Sequence, residues 1–172
     1  GLACLIVAFW MIIHPYRGLE HDSVLYAVLA LARLHPATFG HDLFVRYGTQ
    51  DHFTVFSPLF AAAIRTWGLE PAAAIMTFAT QVLFFGAAWL LARRLMSASL
   101  AVLAVGLLVV LPSWYGSHSV FAYIDSFLTP RQSAEAFALA CRASARRARQ
   151  GLAGACMLVA ILLHPIVAGA GG

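Results

Sequence analysis

The stretch PAAAIMTFATQVLFFGAAWLLA, residues Pro71–Ala92, decides the fold class because it carries no charged side chain over a length that can cross a bilayer. Uncharged runs of roughly 20 residues span the hydrocarbon core as helices. The stretch begins with a proline and is followed at once by Arg93 and Arg94. Two more segments, Leu95–Ile124 and Gln150–Gly172, also lack Asp, Glu and Arg. The pattern predicts an all-α fold, a multi-pass transmembrane helical bundle.

The composition is that of an integral membrane protein. Of the 172 residues, 62% are hydrophobic and 10% are charged, against about 25% charged in average globular proteins. The cationic side chains other than histidine are all arginine, and clusters of arginine beside apolar segments mark cytoplasmic loops. The clustered ones are Arg93, Arg94, Arg142, Arg146, Arg147 and Arg149. We therefore expect membrane lipid as a partner, no nucleic acid, and a place in a bacterial inner membrane.

The order of polar and apolar segments predicts about five crossings in a single transmembrane helical domain, residues 1–172. The amino end then starts inside, while His14–His52, Ser113–Thr129 and the last residues lie outside. The first apolar segment, Gly1–Ile13, is too short to cross and has no initiator methionine. We expect the chain to be an amino-terminal fragment of a longer protein.

Short helices are predicted within and after the first outward loop. One starts at Asp22 or Ser23, either of which can cap it, and runs to Leu34 along the membrane interface. Its apolar face is predicted to contain Val24, Leu25, Val28, Leu31 and Ala32. Another runs from Phe53 to Trp67. A later helix opens at Thr129-Pro130, with threonine as cap and proline in the first turn, and continues to about Gln150.

The first outward loop, His14–His52, is the candidate site because it holds four of the seven acids and five of the seven histidines. A carboxylate at the start of a helix on the membrane surface is well placed to act as a general base. Asp22 is the candidate catalytic residue, with Glu20 beside it and Tyr26 one turn later. The alternative is that Asp22 only caps the helix.

Arg131 follows the Thr129-Pro130 cap, where free backbone N–H groups and a guanidinium together favour an anion such as a lipid phosphate. Interfacial anchoring is the alternative for this residue. Arg17 and Arg46 are weaker candidates for binding the same anion. The spacings of the histidine and aspartate pairs match no compact metal site, so no cofactor is predicted, although a divalent metal is chemically compatible with these side chains.

The layout resembles the amino-terminal half of the GT-C glycosyltransferases, multi-pass enzymes that take a sugar from a polyprenyl-phosphate donor. The resemblance lies in the acidic motif Glu20-His21-Asp22 after a first span, the tyrosine Tyr26, and Ser57-Pro58-Leu59 where the family often has Pro-Pro-Leu. Trp67-Gly68 and Leu91–Leu95 follow in the family's order. The resemblance implies a polyprenyl-phosphate-linked sugar as donor and transfer on the extracytoplasmic side.

The same resemblance assigns roles to the candidate residues. Asp22 would deprotonate an acceptor hydroxyl, which attacks the anomeric carbon of the sugar and expels the lipid phosphate. The residues expected to bind the substrates are Glu20, Tyr26, Arg17, Arg46 and Arg131.

Two other classes of function remain open from the sequence. A transporter would place ionisable groups at the membrane midplane, whereas the clearest apolar segments contain only the amide of Gln81. A non-catalytic membrane protein is equally compatible with the pattern of spans and loops.

Overall fold

The computed structural model describes residues 2–47, 50–111, 114–115, 121–122 and 124–170. Within these residues the fold is all-α, as predicted, apart from one antiparallel pairing of two-residue strands. The helices are α1 (Leu2–Ile13), α2 (Asp22–Leu34), α3 (Pro36–Phe39), α4 (Leu43–Tyr47), α5 (Phe56–Trp67), α6 (Leu69–Leu95), α7 (Ala98–Val110), α8 (Pro130–Ala145), α9 (Gln150–Leu163) and α10 (Pro165–Ala170), with a 3₁₀ turn at Gln50–Phe53 and the strands β1 (Trp114–Tyr115) and β2 (Phe121–Ala122).

The His-Pro pairs interrupt the helices where the sequence places them. Helix α1 ends before His14-Pro15, α2 gives way to α3 at His35-Pro36, and α9 gives way to α10 at His164-Pro165. Proline lacks the N–H that would continue a helix, and its ring restricts the preceding residue to extended backbone. The described part of the uncharged segment Gln150–Gly172 is therefore two helices rather than one.

Helix α2 has the predicted bounds, and the side chains that it buries are mostly small. Ser23, Ala27 and Ala30 are buried, whereas Val24 and Leu25 are each 45% exposed. Small side chains on the buried face let α5 approach closely and pack Phe56 and Phe60 into the space. Val24 and Leu25 belong to the predicted apolar face, and their exposure is what the lipid-facing surface of an interfacial helix requires.

Helix α5 begins three residues later than predicted. The hydroxyl of Thr54 accepts a hydrogen bond from the Phe56 N–H at 3.0 Å and donates one to the Leu163 carbonyl at 2.9 Å, so this residue starts the helix and ties it to α9. Gly68 separates α5 from α6 with a φ of 83° and a ψ of 167°, a conformation that only glycine adopts without strain.

Helices α6 and α8 pack side by side in the same direction. The Thr80 and Ser133 hydroxyls share a buried hydrogen bond of 2.9 Å. About 14 positions further along each segment, roughly 20 Å away, Arg94 lies within electrostatic range of Arg147. An antiparallel α8 would carry Arg147 toward the opposite end of α6. The parallel packing therefore brings the two arginine clusters to the same end of the bundle, as the topology prediction requires.

The core consists of two apolar clusters. The larger one joins α2, α5, α6, α8, α9 and α10 around Phe56, Phe60 and Leu128. The smaller one joins α1, α6, α7 and α8 around Trp10, Phe85 and Val105. Helices α6 and α8 contribute to both clusters, so this pair forms the centre of the fold.

One described helix, Leu69–Leu95, has the length and apolar composition to cross a membrane by itself, and 39% of its most apolar window is buried within the protein. The apolar helices α7 and α9 are shorter, at 13 and 14 residues. Helix α8 ends at Ala145, about five residues before its predicted end, because the chain turns at Ala148 with a φ of 55°. The five crossings remain a prediction.

Candidate functional site

The amino end of α2 leaves the carboxylate of Asp22 free. His21 precedes the helix with a φ of 47° and a ψ of −128°, so the chain reverses tightly there. The Glu20 carbonyl accepts hydrogen bonds from both the N–H and the hydroxyl of Ser23, at 3.0 and 2.6 Å. Asp22 makes no side-chain cap and is half exposed. In the described residues the cap position is His21, and Asp22 is an acid of the first turn that pairs with Arg131.

The amino end of α8 is organised around a buried acid. The Thr129 hydroxyl, expected to cap the helix, instead donates a hydrogen bond of 2.8 Å to the carboxylate of Asp125. Asp125 is 5% exposed, and its backbone carbonyl accepts a hydrogen bond from the Gln81 amide at 3.4 Å. These contacts hold the segment just before α8 against the middle of α6.

Asp22 and Arg131 form an ion pair across the two helix starts. The Arg131 guanidinium donates to the Asp22 carboxylate at 3.4 Å, and the two side chains are 23% and 53% exposed. Ion pairs with this exposure contribute roughly 0–1 kcal/mol. A guanidinium has five donors, so one long contact leaves Arg131 able to bind a second anion.

Tyr26 lies one turn after Asp22, as predicted, and closes an apolar cavity. Its ring meets Phe56 edge-on with centroids 5.4 Å apart. Burial, followed by the charge of Asp22, raises the pKa of the Tyr26 hydroxyl, and Arg131 opposes that rise. The cavity holds about 230 Å³, and its lining includes Tyr26, Phe53, Thr54, Pro130, Leu163 and His164.

A smaller polar cavity of about 60 Å³ has Asp125 in its lining. Its polar lining consists of His14, Arg17, Glu20, His21, Asp125 and Ser126. The Arg17 N–H donates to the Ser126 carbonyl at 3.0 Å, which joins the first loop to the segment before α8. Glu20 and Arg17, both predicted site residues, therefore line one cavity together.

Asp125 is the site residue that the sequence reading missed. Burial raises the pKa of its carboxyl, while the Thr129 hydrogen bond and the Arg131 charge lower it. The signal in the sequence was an isolated acid directly after the uncharged run Leu95–Ile124. Its importance depends on folding, because this loop residue is buried in the folded chain, where it contacts Gln81 on α6 and Thr129 before α8.

Two arginines of the first loop, Arg33 and Arg46, contact residues other than Asp22. Arg46 is in α4, with its guanidinium 5.4 Å from the centre of the Tyr47 ring, and the described contacts do not bring it to Asp22. Arg33 lies on the same face of α2 as Asp22 but pairs with Asp51 at 2.6 Å. Among the described residues, no three His, Cys, Asp or Glu side chains are grouped closely enough to hold a metal ion.

The geometry allows proton transfer next to a bound anion. An exposed carboxylate, a guanidinium and the first N–H groups of α8 converge between an apolar and a polar cavity. No protein-family model, curated protein or solved structure matches the chain. The site must therefore be interpreted from its own chemistry.

Proposed function

We propose that the chain belongs to a membrane glycosyltransferase that transfers a sugar from a polyprenyl-phosphate carrier to an acceptor on the extracytoplasmic side. The observation that supports this most strongly is the Asp22–Arg131 pair, which joins residues far apart in sequence and lies beside the 230 Å³ apolar cavity. A lipid-phosphate donor needs an apolar recess, a cation for its phosphate and a base for the acceptor. All three requirements are met within one cluster of residues.

In the proposed reaction Asp22 takes the proton of an acceptor hydroxyl. The acceptor oxygen bonds to the anomeric carbon, and the bond between that carbon and the phosphate oxygen breaks. Negative charge collects on the departing lipid phosphate, where Arg131 and the amino end of α8 stabilise it. Tyr26 shapes the recess, and Glu20 with Arg17 forms the polar wall on the acceptor side.

The proposal includes a multi-pass arrangement in which the site faces the outer half of the bilayer. Helix α6, at about 40 Å, is longer than the hydrocarbon core of about 30 Å. The site is level with Gln81, roughly 20 Å from the arginine end of α6. With the arginines at the cytoplasmic boundary, the site is recessed into the outer half of the bilayer, within reach of a lipid carrier.

Apolar side chains on the outside of the helices also favour a location in the membrane. The exposed large hydrophobic residues on α6, α7 and α9 are between 38% and 61% exposed, among them Phe78, Leu83, Leu90, Leu103, Leu107 and Leu158. Contiguous exposed apolar surface on this scale marks a membrane or protein contact. The short helices α7 and α9 would complete the bundle beside α6 and α8.

The orientation can be tested by labelling in intact cells. In a chain freed of its native cysteines, His41→Cys, in the first outward loop, should react with a membrane-impermeant maleimide added outside. Ser99→Cys, just after the Arg93-Arg94 cluster, should react only after the cells are opened. The reverse pattern would contradict the proposed side of the site.

The activity is tested with full-length protein in liposomes that contain polyprenyl-phosphate-linked radiolabelled sugars. The proposal predicts release of free polyprenyl phosphate together with a labelled acceptor. No release from any donor tested, by protein whose orientation is correct, would contradict sugar transfer.

Transport is the second candidate, and a specific observation favours it. Thr80, Gln81, Gln132 and Ser133 are buried between α6 and α8, and the Gln132 amide nitrogen has no hydrogen-bond partner in the described part of the chain. Buried polar groups inside a membrane bundle often line a solute path. Uptake of a solute into proteoliposomes, without release of polyprenyl phosphate, would favour this function.

A further inference from the structure

A second charged surface lies at the end of the bundle opposite the Asp22–Arg131 pair. We call it the arginine patch, and it consists of Arg93, Arg94, Arg142, Arg146, Arg147 and Arg149. The parallel packing of α6 and α8 creates it, because the carboxyl ends of both helices meet there. Arg94 lies within electrostatic range of Arg147 and Arg149, so cations distant in sequence share one surface.

Among the described residues, no acid forms an ion pair with an arginine of the patch. The last acid on α6 is Glu70 in its first turn, and the last on α8 is Glu135 near its start. In the part of the chain that the structure describes, the ion pairs use Arg33 and Arg131 and no arginine of the patch. There too, the Nη1 atom of Arg94 is buried without a hydrogen-bond partner. Unpaired cations held together in this way favour an external anion.

Apolar side chains lie around the patch, and they favour a lipid bilayer over a nucleic acid as the anionic partner. Exposed hydrophobic residues border it on three helices, namely Leu90, Leu95, Leu100 and Leu152, each about half exposed. The Arg93 guanidinium lies 5.9 Å from the centre of the Trp89 ring, an arrangement typical of an aromatic residue at a membrane interface. A nucleic-acid surface would be bordered by polar groups, whereas a bilayer offers phosphates directly above hydrocarbon.

We propose that the arginine patch binds the phosphate groups of anionic phospholipids and fixes the carboxyl ends of α6 and α8 at the membrane surface. Guanidinium groups suit this role because each donates two parallel hydrogen bonds to a phosphate. The partner is a phospholipid with a net negative charge, such as phosphatidylglycerol, in preference to zwitterionic phosphatidylcholine. The inference does not depend on sugar transfer.

Trp89 provides a local probe for this interaction. The full chain is placed in phosphatidylcholine nanodiscs that contain small fractions of brominated phosphatidylglycerol or brominated phosphatidylcholine, and tryptophan quenching is measured. A parallel Trp89→Phe sample identifies the part of the signal that comes from Trp89. We expect the anionic lipid to quench Trp89 at a lower mole fraction, and the preference to decline from about 0.1 M to about 1 M salt as the screening length falls.

Variants of the patch test whether charge causes the preference. Arg94→Gln, Arg147→Gln and Arg149→Gln combined should reduce the preference at least about tenfold, since three positive charges near an anionic surface are lost. The three corresponding lysine substitutions should retain most of it, and Arg65→Gln, on α5, should leave it unchanged. Circular dichroism establishes that the variants are folded.

Three results would overturn the proposal. Equal quenching of Trp89 by the two lipids would show that no anionic lipid is selected. Equal losses in folded glutamine and lysine triple variants would show that charge is not the cause. Tighter binding of the nanodisc-embedded chain to a DNA duplex than to phosphatidylglycerol, abolished by the glutamine variant, would assign the patch to nucleic acid.

Discussion

The carboxylate of Asp22 lies 3.4 Å from the guanidinium of Arg131, although 109 positions separate the two residues. Each is placed by the start of its own helix, α2 or α8, and both helices pack into the same apolar cluster. The pair therefore depends on the tertiary fold rather than on local sequence. Its partial exposure makes it a weak stabiliser and leaves both groups accessible to substrates.

Arg131→Gln should slow sugar transfer by about 10²–10³-fold, the loss usual for removing one group that stabilises developing negative charge. Arg131→Lys should recover part of the rate, because a point charge remains but paired donation is lost. Turnover by reconstituted protein measures both effects. Arg33→Gln, which breaks the separate pair with Asp51, serves as the control, and an equal loss in that variant would contradict a specific role for Arg131.

Asp125 should make stability depend on pH. Its carboxyl pKa is raised in the folded protein, chiefly by burial, so its contribution to stability is fully present below the ordinary pKa of 3.8 and is lost as pH rises through the folded pKa. Asp125→Asn keeps an oxygen for the Thr129 hydroxyl but cannot ionise. Between pH 4 and pH 7 the melting temperature of the wild type should therefore fall relative to that of the variant, and a constant difference would contradict the raised pKa.

His21→Gly should stabilise the protein. The backbone of His21, with a φ of 47° and a ψ of −128°, suits glycine and costs other residues about 1–3 kcal/mol. The lost ring contact with Phe127, at 5.6 Å between centroids, offsets part of the gain, so a net increase of about 1 kcal/mol is expected, or about 2–4 °C in Tm. His35→Gly, at a φ of −131°, should give no such increase. A lower Tm for His21→Gly would contradict strain at this position.

The Thr80–Ser133 hydrogen bond should couple α6 to α8. A double-mutant cycle with Thr80→Val and Ser133→Ala should give an interaction energy of about 0.6 kcal/mol, the average for hydrogen bonds between membrane helices. Thr66→Val is a suitable control, because the Thr66 hydroxyl bonds only to its own helix, at the Ala62 carbonyl. Additive effects of the two substitutions would show that this hydrogen bond adds no coupling.

The helical class and most helix boundaries followed from the sequence because prolines, glycines and uncharged runs act locally. The start of α2 at Asp22, the break at His35-Pro36 and the turn at Gly68 are examples. Which side chains of a helix are buried was less predictable. The side chains that α2 buries are Ser23, Ala27, Leu29 and Ala30, whereas Val24 and Leu25 of its apolar stripe are exposed.

The site was predictable in part. Asp22, Tyr26 and Arg131 were named from helix starts and spacing, and the fold brings them together. Asp125 was not named, because its burial arises from contacts with Gln81 on α6 and Thr129 before α8. Likewise, Thr129 is a typical helix-cap residue, yet its hydroxyl donates a hydrogen bond to the buried carboxylate of Asp125 instead of capping α8.

The most direct measurement compares sugar transfer by wild type, Asp22→Asn and Asp51→Asn in the same liposomes. Both variants remove one carboxylate from an ion pair with arginine in the first outward loop. If Asp22 is the base, Asp22→Asn should lose about 10²–10⁴-fold in rate with little change in Tm, while Asp51→Asn stays near wild type. Undiminished transfer by Asp22→Asn would contradict the proposed role of this carboxylate.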